Sequence, residues 1–418
     1  MLKMARIAYV SALAVLALGA TGLLTSSARA LTTDDKPAAL LVWPKIIVDT
    51  SGVFTTPSGT LTDTLIQLTN TGSKAQLAHC FYVNANSHCA APANTTTVCR
   101  TSADCEFSGG IAPCVPGWNE IDFDIILTPQ QPVAWHASAG LTNSQLPLSS
   151  GGVCDIPIGQ PCSSNLQCTA PNGVCQFPGS NLGTGVPPTP EDPFIGSLTC
   201  LEFTAGSSSS VDVSSNTLIG NGTIESLLGG SAGAPDIQIY NAVGLLGTGT
   251  PPPQPGNSLQ IGGVPPSSGP PSYQYQACPT TLILDHAFDI PSVTTTDLTL
   301  VPCGNDFLTQ QPGEVTAQFL VFNEFEQRFS TSHPVDCFFE SPLSAIDTTN
   351  PLRSIFSITV SGTVTGQTRI RPVGSASTGR GLVGVARNLT DVHGAAYNLF
   401  QSGTPDFTTT PPDVITIP

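Results

Sequence analysis

The chain has 418 residues and a formal net charge of −16, with 40% hydrophobic and only 10% charged residues. This acidic balance argues against nucleic acid and anionic lipid as partners, because both are bound by clusters of Lys and Arg. The hydrophobic content is sufficient for a packed core, which excludes a chain disordered throughout, and the length is that of two or three domains.

The first thirty residues have the organisation of a secretory signal peptide. Lys3 and Arg6 precede an apolar run over residues 7–24, and the small-residue triplet Ala28-Arg29-Ala30 follows. We expect cleavage before Leu31 and a mature protein that is secreted, either extracellular or periplasmic. An uncleaved anchor helix is the competing interpretation, but the run is short and rich in Ala and Gly. No second apolar stretch is long enough to span a bilayer, so the mature chain is expected to have no membrane span.

All 13 cysteines follow this segment, and in an oxidising compartment most of them should form disulfides. Eight fall into two units of similar spacing, Cys89, Cys99, Cys105 and Cys114, then Cys154, Cys162, Cys168 and Cys175. The others are Cys80, Cys200, Cys278, Cys303 and Cys337. If each unit closes on itself an odd number remains, which leaves either a free thiol or one that bridges to a second chain by disulfide-linked self-association.

The apolar segments are short, rich in Val, Ile, Thr and Phe, and separated by turn residues, which predicts an all-β chain. We find no convincing amphipathic helix. The predicted strands, in chain order, span residues 40–48, 62–70, 75–84, 120–127, 132–137, 196–203, 217–225, 237–245, 281–284, 297–301, 315–322, 335–340, 354–360, 367–373, 381–386 and 396–400.

Two parts of the chain resemble copies of one unit. The segment 64–70 followed by 79–83 matches the segment 318–323 followed by 336–340, and each part ends on a Tyr-Asn strand. An internal repeat of this kind predicts two related β-sandwich domains, Ig-like or jelly-roll-like, over residues 31–246 and 277–418.

Disulfide-stapled loop insertions and a linker complete this organisation. The Cys-rich units, residues 89–114 and 154–175, fall inside the first predicted sandwich and are too rich in Gly, Pro, Asn and Ser to bury a core, so disulfides must hold them. Residues 247–276 are rich in proline and predict a linker or long surface loop between the sandwiches.

The spacing Cys99-x5-Cys105 and the run Cys162-x5-Cys168-x6-Cys175 resemble the small Cys-rich modules of extracellular proteins, of the Dickkopf-like kind. The whole chain is similar to secreted bacterial β-rich proteins that carry such inserts. The matching motifs lie in the inserts alone. The resemblance implies a disulfide-stapled surface module without chemistry of its own.

Two patterns raise the question of a metal. Glu120, Asp122 and Asp124 alternate with apolar residues, so that a strand would place three carboxylates on one face, where calcium is a weak candidate and a solvated face is the alternative. The pairs His79-Cys80 and His88-Cys89 offer zinc or copper ligands, but their spacing matches no zinc signature and exported cysteines tend to oxidise.

One pattern raises the question of catalysis. Gly229-Gly-Ser231-Ala-Gly233 fits the nucleophile elbow of hydrolases. Its context is unsuitable, because Pro235 follows at once and no alternation of strands and helices surrounds it. A secreted hydrolase using Ser231 is therefore the distant alternative, and we expect no enzymatic activity.

The aromatic residues to weigh as a sugar-stacking surface are Trp118, Trp135, Tyr273 and Tyr275. Trp135 alternates with apolar residues and is expected in the core, whereas Tyr273 and Tyr275 flank the proline-rich segment and are the better binding candidates. Late in the chain, a strip of arginines could bind an acidic glycan, although ion pairs with neighbouring carboxylates are the simpler expectation.

These features predict a non-catalytic extracellular or cell-surface structural and interaction protein, with a glycan or protein partner. A glycan-binding β-sandwich protein is the first alternative.

Overall fold

The computed structural model describes residues 32–33, 36–53, 59–141, 152–155, 158–162, 168, 175–176, 185–204, 211–228, 235–251, 258–263, 272–290, 293–373, 381–390, 393–402 and 413–418. These residues form strands almost throughout, so the all-β prediction is confirmed. The predicted signal peptide, Ser231 and most of the second Cys-rich unit lie outside the described residues.

The strands of the first half, in chain order, are β1 (Thr32–Thr33), β2 (Leu40–Val48), β3 (Thr60–Asn70), β4 (Gln76–Asn84), β5 (Ser87–Cys89), β6 (Val98–Cys99), β7 (Glu106–Phe107), β8 (Gly110–Ile111), β9 (Cys114–Pro116), β10 (Asn119–Leu127), β11 (Pro132–His136), β12 (Gly152–Asp155), β13 (Ile158–Cys162), β14 (Cys175–Gln176), β15 (Phe194–Thr204), β16 (Leu218–Leu228), β17 (Asp236–Asn241) and β18 (Val243–Leu245).

The remaining strands are β19 (Ser258–Ile261), β20 (Thr281–Ala287), β21 (Thr294–Pro302), β22 (Asn305–Asp306), β23 (Glu314–Asn323), β24 (Arg328–Asp336), β25 (Phe339–Pro342), β26 (Thr365–Val373), β27 (Leu382–Thr390), β28 (Gly394–Asn398), β29 (Phe400–Ser402) and β30 (Asp413–Thr416). Within the described ranges, α1 (Ile358–Ser361) is the α-helix, and 3-10 turns occur at Ser102–Asp104, Leu343–Ala345 and Pro351–Arg353.

Four larger antiparallel sheets organise the chain. Sheet I has the order β1-β18-β2-β15-β4-β10 and sheet II the order β11-β3-β16-β17. Sheet III has the order β24-β23-β26-β20-β29 and sheet IV the order β25-β21-β27-β28. A small sheet, β19-β30-β22, contains a parallel pairing of β22 with β30, and the Cys-rich units form short sheets of their own.

Buried apolar side chains fill the spaces between these sheets. Trp43 and Tyr82 of sheet I pack with Ile66 and Ile224 of sheet II in one cluster. A second cluster lies between sheets III and IV and contains Phe319 and Leu300. Each cluster arises from period-two alternation, which brings one face of a strand to the core.

A third cluster joins the two predicted halves. It contains Leu40 and Phe81 from sheet I together with Cys303, Phe307 and Val383 from the later part of the chain. The rings of Phe81 and Phe307 stack at a centroid distance of 4.2 Å. Accordingly Leu31–Pro418 forms one compact unit, and the division into two sandwich domains stays a prediction.

The described part of residues 247–276, the predicted linker or long surface loop, packs on the body of the protein. Leu259 and Ile261 of β19, together with Tyr275, are buried in the third cluster, and β19 pairs with β30 near the C-terminus. Apolar residues at alternate positions of β19 supply the contacts that hold this segment on the body of the protein.

The predicted strand over 354–360 is also wrong. The backbone there forms a turn and then α1, because the Ser357 side chain accepts a hydrogen bond from the Thr359 amide at the helix start. Gly362, with φ of 70°, ends the helix in the left-handed conformation that favours glycine.

The internal repeat stays a prediction. The matched strands β3 and β23 are both interior strands, of sheets II and III. The closing Tyr-Asn strands lie in different settings, since β17 belongs to sheet II and β28 to sheet IV. These two strands contact each other, with the Asn241 amide donating to Asn398 Oδ1 at 2.9 Å.

Candidate functional site

A cavity of about 1300 Å³ lies where sheets I and IV meet the first Cys-rich insert. Its volume exceeds that of most small-molecule pockets. Residues from distant parts of the chain line it, including Ile47, Arg100, Phe194, Asp297 and Glu340.

A β-bulge in β2 places a lysine beside this cavity. Ile46 pairs with Gly196 and Trp43 with Leu198, so Pro44 and Lys45 together oppose one residue of β15. Pro44 suits this position because it has no amide to donate to the ladder. Every residue of β2 is buried, Lys45 included.

Lys45 belongs to a buried cluster of four charges that joins sheets I and IV. Its Nζ forms an ion pair with Glu340 of β25 and lies 3.4 Å from Thr299 Oγ1. Arg387 of β27 donates to Asp297 of β21 at 3.0 Å and lies 3.7 Å from Glu340. Two cations therefore face two carboxylates, which is the balance that buried charges require.

Burial and neighbouring charges shift the pKa values in this cluster. Burial, and then the positive charge of Arg387, lower the pKa of Lys45 from 10.5 to about 8. Burial alone would raise the pKa of Glu340, but Lys45 and Arg387 outweigh it and hold that pKa below its ordinary value. The cluster thus keeps Glu340 ionised at the cavity wall.

Two atoms of the cluster retain hydrogen-bonding capacity. Among the described residues, neither Glu340 Oε2 nor Arg387 Nε has a hydrogen-bond partner. Other carboxylates at the cavity are satisfied from within the protein, since Asp289 accepts from the amides of Thr296 at 3.0 Å and Ser344 at 3.2 Å. Glu340 lines the cavity with 18% of its side chain exposed, whereas its unpartnered Oε2 is itself buried.

The first Cys-rich insert supplies one rim of the cavity through Arg100. Disulfides Cys89–Cys105 and Cys99–Cys114 close the insert on itself. Glu191 fixes its base, because its carboxylate accepts from Asn86 Nδ2 at 2.6 Å and lies 3.0 Å from His88 Nε2. The insert is thus positioned at the cavity by covalent and polar contacts together.

The predicted carboxylate face is present, but it does not support a calcium site. Asp124 Oδ1 lies 2.6 Å from His79 Nδ1, and Asp122 lies 3.9 Å from the other ring nitrogen. Burial and the neighbouring Asp122 raise the pKa of Glu120 to about 7. Among the described residues, the group whose metal-ligand atoms converge consists of Cys89, Cys99 and Cys105, which are all in disulfides.

The His-Cys pairs are not metal sites. Cys80 pairs with Cys200 and Cys89 with Cys105 in disulfides, which removes both thiolates as ligands. Cys278 pairs with Cys303, and Cys168 is also disulfide-bonded. The side chains of Cys154, Cys162 and Cys175 lie outside the described residues, and Cys337 is a free, buried thiol.

The aromatic residues considered for a sugar platform differ in how far the fold covers them. Tyr275 is fully buried and Tyr273 is 9% exposed, because the segment that carries them packs into the third cluster. Trp118 stacks on Phe307 at 6.4 Å and is partly covered. Trp135 is in the core, as expected, where its indole donates to Tyr82 Oη at 2.7 Å.

One hydroxyl and imidazole pair meets the distance for general-base catalysis but lacks access. His286 Nε2 lies 2.9 Å from Thr368 Oγ1. Burial lowers the pKa of His286 to about 4, and Thr368 is fully buried, so no substrate reaches the hydroxyl.

Sequence reasoning missed Lys45, although a signal exists. Pro44 and Lys45 interrupt the apolar run Leu-Leu-Val-Trp-Pro-Lys-Ile-Ile-Val, and a buried lysine in such a run requires a carboxylate partner. The partner, 295 residues away, is not readable from the sequence.

Comparison with known proteins finds no matching family model and no curated protein with a significant match. Of the helices in the described residues, none has the length and apolar character needed to cross a membrane.

Proposed function

We propose that this chain is an exported, non-catalytic interaction protein and that the cavity between sheets I and IV receives a basic side chain on an extended segment of a partner protein. The observation that carries the proposal is Glu340, an ionised carboxylate that lines a large cavity and has 18% of its side chain exposed.

The lining of the cavity supports a peptide segment as its occupant. Val293, which is 55% exposed, offers apolar contact area beside the polar groups. A lysine or arginine carries both an aliphatic stem for such a surface and a cationic head for Glu340.

The intramolecular disulfides support export to an oxidising compartment. Expression with the first thirty residues tests this directly. We expect exported protein whose amino terminus is Leu31, and retention in the cytoplasm with Met1 intact would contradict export.

Two earlier alternatives lose their support. A disulfide-linked polymer through Cys337, the free thiol among the described cysteines, requires that thiol to be reachable, and it is only 7% exposed. A sugar platform on Tyr273 and Tyr275 requires exposed rings, which neither residue offers.

The binding test compares short peptides with a central Lys or Arg against the same peptides with norleucine, by calorimetry on the exported protein. Val293 lines the cavity and is 55% exposed, so Val293→Trp obstructs the cavity at its rim. Val364, 56% exposed and not among the cavity residues, gives the matched control Val364→Trp.

We expect the basic peptides to bind more tightly, by about tenfold, which is roughly 1.4 kcal/mol for one charge-assisted contact. Val293→Trp should abolish this binding and Val364→Trp should preserve it. Equal binding of norleucine peptides, equal loss in both variants, or no binding at all would each refute the proposal.

A further inference from the structure

The outer face of sheet III carries three arginines in a protein with a net charge of −16. Register places Arg369 opposite Leu320, Arg371 opposite Gln318 and Arg328 opposite Phe322, so all three arginines share the face turned away from the core. Each is exposed. The inner face of the same strands carries the apolar residues of the second cluster.

Within the described part of the chain, these arginines form no ion pairs. Among the described residues, no carboxylate lies within 4.0 Å of Arg328, Arg369 or Arg371, whereas Arg387 pairs with Asp297. Arg369 is held by other means, with its guanidinium 5.6 Å from the Phe322 ring centroid and its Nε 3.4 Å from Gln367 Oε1. The simpler expectation of internal ion pairs therefore fails for this strip.

Phe400, on the edge strand β29, lies in the same cross-strand row as Arg369. Ile283 pairs with both Arg369 and Phe400, so the side chains of Arg369 and Phe400 lie on one face. Phe400 is 64% exposed, so its ring is accessible from solvent. Three guanidinium groups and one aromatic ring thus lie on this face, and we define them as the strip: Arg328, Arg369, Arg371 and Phe400.

We infer that this strip binds a linear acidic polysaccharide. Guanidinium groups recognise carboxylate or sulfate groups in a bidentate manner, and an exposed ring can pack against the apolar face of a sugar. Arg369 and Arg371 are two residues apart on one strand and hence about 7 Å apart, so they can engage successive acidic groups of a repeating chain.

Charge selects this occupant over other polyanions. Asp285 lies on the same face, and Glu314 and Asp336 pair at its far end, so acids border the strip. These carboxylates and the net charge of −16 repel the dense phosphates of nucleic acid. Three arginines also contribute only about 1 kcal/mol each at an anionic membrane. A flexible polysaccharide with spaced charges avoids the flanking acids.

The experiment measures binding of polygalacturonate, chondroitin sulfate and neutral dextran to the intact exported protein at low and moderate salt. The test variants are Arg369→Gln/Arg371→Gln and Phe400→Ala. The control is Arg353→Gln, which removes one arginine charge at an exposed residue of a 3-10 turn outside the strip.

We expect at least one acidic polysaccharide to bind and dextran not to bind. The double arginine variant should bind at least tenfold more weakly, and Phe400→Ala several-fold more weakly, while Arg353→Gln stays within twofold. Affinity should fall with salt, as for any ion-paired contact. Binding of polygalacturonate would show that carboxylates suffice, whereas binding of chondroitin sulfate alone would point to the sulfates that it carries in addition to carboxylates.

Several results would overturn the inference. They are absence of binding to both acidic polymers, equal weakening in Arg353→Gln, or duplex DNA binding as tightly as the polysaccharides. Because Val293→Trp alters the cavity and not this strip, it should leave polysaccharide binding unchanged, so the two proposals can fail separately.

Discussion

Lys45 of β2 and Glu340 of β25 form a buried ion pair that joins sheet I to sheet IV. Lys45 is fully buried, and the pair closes a sequence separation of 295 residues. Such a pair specifies which surfaces of the two sheets meet, because any other packing would leave a buried charge without a partner. Tyr240 reinforces the arrangement by donating its hydroxyl to the Lys45 carbonyl.

We expect Lys45→Met to destabilise the protein by about 3–5 kcal/mol, the usual cost of removing one partner of a buried pair. The loss should appear as a lower midpoint in urea unfolding. Lys45→Met/Glu340→Leu should recover part of it, since the double variant no longer buries Glu340 without its lysine.

Lys74→Met is the matched control for this variant, because Lys74 is exposed and outside the cluster. Its effect should stay within about 0.5 kcal/mol, as at most surface positions. A Lys45→Met protein as stable as the Lys74→Met protein would show that the ion pair does not hold the sheets together.

Much of this fold could be predicted from local pattern. The predicted strand 40–48 matches β2, and 120–127 matches β10 within one residue, because apolar alternation is a local signal. Most of β24 was missed, since its sequence Arg-Phe-Ser-Thr-Ser-His-Pro is polar and ends near a proline. The helix α1 was missed because one turn is too short to show a period of 3.6.

The candidate site could not be predicted in this way. The bulge at Pro44 and Lys45, the partner Glu340 and the rim residue Arg100 come from segments that only the tertiary fold brings together. Tyr275 illustrates the converse, since flanking prolines predicted an exposed loop but long-range packing buries the residue. Local propensity does not report such contacts.

The disulfides should contribute unequally to stability. Cys80–Cys200 joins residues 120 apart and Cys278–Cys303 joins residues 25 apart, so the first restricts the unfolded chain more. Other bridges shorten the path within the larger loop, which leaves an expected difference of about 1 kcal/mol.

Calorimetry on Cys80→Ala/Cys200→Ala and Cys278→Ala/Cys303→Ala checks this ordering. Each pair replaces two buried sulfur atoms, so the two variants serve as controls for each other. A larger loss for the Cys278–Cys303 pair would mean that packing around the bridges, and not loop closure, governs their effect.

Glu202 should make stability depend on pH. It is fully buried, and burial raises its pKa from 4.5 to about 8, although hydrogen bonds from Thr217 oppose the shift. The folded protein thus retains a proton that the unfolded chain releases near pH 4.5. The resulting stabilisation is complete below that pH and is lost as pH rises through about 8.

Glu202→Gln keeps an acceptor for Thr217 and removes the titration. Between pH 5 and 8 we expect the unmodified protein to lose on the order of 3 kcal/mol relative to this variant, measured by urea unfolding at each pH. Glu106→Gln, at an exposed position, should retain the pH dependence of the unmodified protein. Parallel pH profiles for the Glu202→Gln and unmodified proteins would contradict the assignment.

The Cys337 thiol should react only slowly with thiol reagents in the native protein. The thiol is 7% exposed, and burial, followed by the charge of Asp336, raises its pKa. A thiol must be both accessible and ionised to react, so Ellman's reagent should label Cys337 slowly in the folded protein and completely after unfolding in guanidinium.

For the same reason Cys337 should not link two chains, and light scattering should give the same mass for the unmodified protein and for Cys337→Ser. Rapid native labelling, or a covalent dimer lost in Cys337→Ser, would show that this thiol reaches the surface.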